Sequence, residues 1–130
     1  MSRNYLPPKR FTIAPSAARA ATASFTSSDY SNPGYRGIKV YLDVTLDPAS
    51  AAITLTLQGK DPASGDYHTL LASAAVSAVT TGPNVYQIFP GAPATSNVSA
   101  NTQLPKVWRV IVTGADTDSM TYSISCDLLP

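Results

Sequence analysis

Glutamate is absent from the 130 residues, and all eight acidic side chains are aspartates. Long exposed helices lean on Glu, Lys and Leu, so this gap argues against an α-helical protein. A single cysteine, Cys126, excludes a disulfide framework within the chain. A single histidine, His68, argues against a His-based metal centre. Charged residues make up only 13% of the chain, about half the usual share. No apolar run approaches the roughly 18–20 residues of a membrane span. The opening ten residues lack the apolar core of a secretory signal, so the expectation is a soluble protein made in a cytoplasm. Without such a signal, the sequon Asn97-Val98-Ser99 reads as chance.

Small residues fill the space that charge leaves. Ala, Ser and Thr together account for 47 of the 130 positions, and eleven Pro and seven Gly punctuate short Val/Ile/Thr/Tyr runs. This pattern is that of an all-β protein, and the length is that of one domain with a hydrophobic core of its own. The strongest strand signal is residues 38–47, where Ile38, Val40, Leu42, Val44 and Leu46 alternate with Lys39, Tyr41, Asp43, Thr45 and Asp47. Residues 53–71 read as a hairpin whose loop is the turn-rich stretch 61–66. Residues 107–113 and 120–128 alternate in the same way, with Ile111 an apolar residue on the nominally exposed face. Shorter strands are expected at 23–27, 74–79 and 85–89, a turn at 28–34 and a long loop at 91–105. Seven or eight antiparallel strands with one apolar face make a β-sandwich of Ig-like or jelly-roll type, with a closed barrel as the alternative.

Charge is unevenly placed. Residues 1–36 carry a net charge of +4 and residues 37–130 a net of −3. Pro7, Pro8 and Pro15 bar a continuous helix near the start, so residues 1–21 read as an extended arm and residues 22–130 as the sandwich. Such an arm needs a surface to lie on. Its expected anchors are Tyr5, Leu6 and Phe11, and its expected charge partners are Arg3, Lys9, Arg10 and Arg19. Those cations are too sparse for a nucleic-acid site.

Side chains with chemical potential have simpler uses. His68 follows a hairpin turn, and no serine sits in a nucleophile motif such as Gly-x-Ser-x-Gly. Asp61 with Asp66, and Asp116 with Asp118, lack the spacing and terminal Glu of a calcium loop and fit turn closure instead. Cys126 and Trp108 follow the inward register of their strands, which implies a buried thiol and a core indole. Tyr41 on a polar face, and Tyr30, Tyr35, Tyr67 and Tyr86 in or near loops, would serve an interface or a carbohydrate site. Nothing calls for a catalytic centre, a metal or a cofactor.

Five stretches carry a family resemblance: Gly37 to Thr45, Gln58 to Ser73, Val85 to Gly91, Leu104 to Val110, and Met120 to Ser123. Together they resemble small β-rich proteins encoded among the virion genes of tailed bacteriophages. The resemblance spans roughly residues 36–128 and leaves out the arm. It implies a non-enzymatic structural protein of the virion, foremost a capsid decoration or cement protein. Its implied partners are the major capsid protein and neighbouring copies of itself, as a dimer or trimer on the shell. A neck or tail position, or a glycan-binding module on the virion surface, is the alternative.

Overall fold

The computed structural model describes residues 6–19, 24–47, 51–76, 84–114 and 118–130. Among them are ten strands: β1 (Lys9–Arg19), β2 (Phe25–Thr26), β3 (Tyr30–Ser31), β4 (Gly37–Leu46), β5 (Ile53–Lys60), β6 (Tyr67–Ala72), β7 (Asn84–Ile88), β8 (Ser99–Ala100), β9 (Val107–Gly114) and β10 (Met120–Leu129). One sheet runs β1-β10-β4-β7-β8; the other runs β2-β9-β5-β6, with β3 also paired to β9. Every pairing is antiparallel except that of β7 with β8.

The order of pairing identifies the architecture. If β2 and β3 are one interrupted strand and β8 an addition, eight strand positions remain. They pair as nested couples: β1 with β10, β2/β3 with β9, β4 with β7, and β5 with β6. That is a long hairpin rolled into two sheets, the jelly roll, and it decides between the two sandwich types the sequence allows.

Alternation builds the core between the sheets. Met120, Tyr122, Ile124, Cys126 and Leu128 of β10 are all buried, as are Ile38, Val40, Leu42 and Val44 of β4. Opposite them lie Ile53, Leu55 and Leu57 of β5 and Trp108, Val110 and Val112 of β9. Ile111 faces outward and is half-buried, flanked across the sheet by Thr26 and Thr56.

Two serines repair the ladder where strands break. Ser27, between β2 and β3, donates its backbone N–H to the Val110 carbonyl at 2.9 Å. Its Oγ accepts the Val110 N–H at 2.9 Å and donates to the Ser28 carbonyl. Ser73 repeats the arrangement after β6, with its Oγ accepting the Leu55 N–H at 2.9 Å and donating to the Ala74 carbonyl. Each hydroxyl thus stands in for a strand carbonyl, so neither the Val110 nor the Leu55 N–H is orphaned.

Several expectations change. The N-terminal segment is extended, but residues 9–19 lie on the molecule's own sheet as β1, with Ile13 and Ala14 buried in the core. Register shifts between Thr12 and Ala14 and between Ala14 and Ala17 hide this strand from a period-two reading. The stretch 28–34 contains β3, and the loop 91–105 contains β8. Of the expected strand at 74–79, Val76 forms a single bridge to Ile53, and residues 77–79 lie outside the described residues.

Candidate docking face

The outer face of the β1-β10-β4 sheet follows from the same alternation that fills the core. With the apolar residues of β10 turned inward, Thr121, Ser123, Ser125 and Asp127 are left outside. Register then sets these side chains in rows across the strands. One row is Arg10, Asp127, Lys39 and Gln87; the next is Thr12, Ser125, Tyr41 and Val85. Because Ser125 is small, a shallow trough of about 550 Å³ opens between β1 and β4, walled by Arg10 and Tyr41.

Asp127 organises this trough. One carboxylate oxygen accepts from Arg10 Nε at 3.0 Å and the other from the Tyr41 hydroxyl at 2.6 Å. The hydrogen bond to Asp127 raises the Tyr41 pKa above its ordinary value. The Arg10 side chain is 84% exposed, so its ion pair is worth only about 0–1 kcal/mol and its guanidinium stays available to a partner.

The predicted arm residues separate into three groups. Arg3 and Tyr5 lie outside the described residues. Arg10 stands exposed on β1 at the edge of this face, whereas Lys9, in register with the buried Leu128, turns to the opposite side of β1, where its ammonium lies 5.8 Å from the Phe11 ring. Leu6, Phe11 and Arg19 serve the protein itself. Leu6 packs half-buried against the core, next to a turn where the Tyr35 hydroxyl donates to the Pro7 carbonyl at 2.8 Å. Phe11 stacks on Tyr30 at 5.2 Å and lies 6.3 Å from Trp108, joining the edge of one sheet to the other. Arg19 donates to the carbonyls of Pro15, Ala17 and Tyr122, and its guanidinium lies 4.4 Å above the Tyr122 ring. These three are therefore spoken for by intramolecular contacts.

Other candidates resolve in the same way. Tyr35 and Tyr86 are buried, against the expectation of loop exposure. Tyr35 is held by Asn32, whose side chain accepts the Gly34 and Tyr35 N–H groups and donates to the Tyr35 and Leu104 carbonyls. Trp108 is fully buried. Cys126 is buried as well, and burial pushes its thiol up to about 12. His68 is exposed, 3.9 Å from Asp61. Asp61 instead serves its own turn, accepting from the Ala63 N–H and the Ser64 hydroxyl. Asp116 lies outside the described residues.

Known proteins add little. No protein family matches the chain, and no curated protein matches it. Among solved structures the chain is similar to the Yersinia pseudotuberculosis-derived mitogen at 12% identity. That match covers 95% of this chain and 86% of the mitogen, with a TM-score of 0.49. At that level the likeness carries no functional implication.

Proposed function

We propose that this protein is a non-enzymatic structural protein of a tailed-phage virion, a capsid decoration or cement protein that docks through the outer face of the β1-β10-β4 sheet. The observation that supports the reading is the short, polar centre of that face. Its central strand presents Thr121, Ser123, Ser125 and Asp127 ahead of a terminal Leu129, and the exposed cation Arg10 lines its β1 edge. A rigid sheet with short polar side chains loses little side-chain entropy when it is covered, which suits a lattice joint. The strands beneath the face are locked into the core, so docking needs no refolding. The resemblance to virion proteins supplies the capsid as the partner, with neighbouring copies as the second contact.

Removing residues 1–19 would delete a strand of the sandwich, so point variants are the proper test. Purified protein is mixed with tailed-phage capsids that lack decoration and is sedimented through sucrose. Saturable co-sedimentation is expected, weakened about tenfold or more in an Arg10→Glu variant with unchanged circular dichroism. Binding that ignores this variant would move the docking surface elsewhere. Failure to bind capsids, with binding to neck or tail particles, would transfer the protein to those structures.

A further inference from the structure

Away from the docking face, a second region is built with more polar detail. It lies at the end of the sandwich where the β5–β6 turn, the β2–β3 segment and residues 105–107 converge. There a cleft of about 590 Å³ opens, within the size range of small-molecule sites. We propose that this cleft binds a neutral sugar ring.

Its walls are fixed before any ligand arrives. Tyr67 reaches across the outer face of its sheet from β6, and its hydroxyl donates to the Asp29 carboxylate at 2.7 and 2.9 Å. The Arg109 guanidinium lies 3.4 Å from the Tyr67 ring, and Arg109 Nε donates to Gln58 at 2.9 Å. The Lys60 ammonium donates to Asp29 at 3.3 Å, which sets a cation and an anion side by side at the rim. The opposite wall is pinned by the buried Asn32, whose side chain ties Leu104 to Tyr35 and whose N–H donates to the Lys106 carbonyl at 2.7 Å. Pro105 rests against Gly59, where a Cβ would come within 2.7 Å of its ring.

The lining selects the ligand class. Pro62, Pro105 and Val107 form an aliphatic surface. Asp29 and Lys60 offer an acceptor and a donor, and the side chains of Ser31 and Lys106 are exposed and have no bonding partner among the described residues. Two lysines and two aspartates, the second being Asp61, line the space, so their charges balance and no net ligand charge is favoured. A sugar hydroxyl donates and accepts at once, and the C–H face of a pyranose covers an aliphatic wall. That combination of demands is what the cleft meets. The site is independent of attachment to a capsid and lies outside the face assigned to it.

The test uses the full chain and saturation-transfer NMR with D-glucose, D-galactose, D-mannose and N-acetyl-D-glucosamine, with N-acetylneuraminic acid and inorganic phosphate as charged comparators. At least one neutral sugar is expected to receive saturation and to shift the amides of residues 29–31, 61–65 and 105–107. Ser31→Ala and Lys106→Ala each are expected to weaken binding about fivefold or more, whereas Lys39→Ala on the other sheet leaves it unchanged. Both varied side chains are exposed and unbonded, so amide spectra of the variants should remain those of the folded protein. Transfer to no neutral sugar, transfer to the charged comparators alone, amide shifts elsewhere, or equal binding in both variants would each overturn the proposal.

Discussion

Ser27 and Ser73 each combine roles that are usually divided between backbone and side chain. Each is buried and each Oγ accepts a strand N–H that has no other acceptor in the ladder. Alanine at either position keeps the shape but strands the N–H of Val110 or Leu55. The cost of an unsatisfied buried donor is about 1–3 kcal/mol, against about 0.5 kcal/mol or less for a surface change such as Ser125→Ala. Urea-unfolding midpoints of Ser27→Ala, Ser73→Ala and Ser125→Ala check this. Equal midpoints for all three would show that water replaces the hydroxyls. Composition alone, with 15 serines, gives no means of singling out these two, because their role depends on which strand lies opposite.

Strand β1 ends a sheet, and edge strands invite unwanted pairing. Pro15 removes a donor there, two register shifts bend the strand, and Arg19 folds back onto the carbonyls of Pro15 and Ala17. Arg19 therefore works as a guard on its own strand. In Arg19→Ala, hydrogen exchange of the β1 amides is expected to quicken about tenfold while β4 stays unchanged, and sedimentation velocity is expected to show added self-association. Unaltered exchange in β1 would leave Arg19 without that role. Uninterrupted alternation makes β4, β5, β9 and β10 legible in the sequence, and short β-rich runs between turn residues do the same for β2, β6 and β7. Those that escaped are irregular for physical reasons, with bulges in β1, a side-chain surrogate between β2 and β3, and a two-residue parallel strip at β8. The site divides likewise. Lys9 and Arg10 were readable as surface cations, but Asp29, Lys60 and Lys106 meet only because β9 pairs with both β3 and β5.

For the molecule as a whole, the pH response is lopsided. Burial holds the Tyr122 hydroxyl and the Cys126 thiol each near about 12, from ordinary values of 10.0 and 9.0. Burial also raises Tyr86. The unfolded chain loses these protons first, so stability falls as pH rises above about 9. On the acid side, Asp29 is lowered chiefly by its hydrogen bond from Tyr67, and Asp61 chiefly by the Ala63 N–H. Their contribution is present above the ordinary carboxylate value of 3.8 and is lost as pH falls through the lower folded values. Both are surface groups, so this acid loss is small. Urea midpoints from pH 3 to pH 11 are expected to be level between about pH 5 and pH 8 and to drop on the alkaline side, with a later onset in Cys126→Val. A midpoint at pH 10.5 equal to that at pH 7 would refute the alkaline arm.

The nested pairing of strands also sets a timetable. A ribosome delivers β1 before the other strands of the roll, yet its strand partner among the described residues, β10, follows all of them. Throughout elongation Phe11 and Ile13 are carried on a strand with no sheet to join, and the middle couple, β5 with β6, is the first that can form. Closure of the roll therefore waits for translation to pass Leu129, and the β1-β10-β4 face exists only once β10 has been made. A nascent or truncated copy has no such face to offer, so incomplete copies are kept out of any assembly built on it.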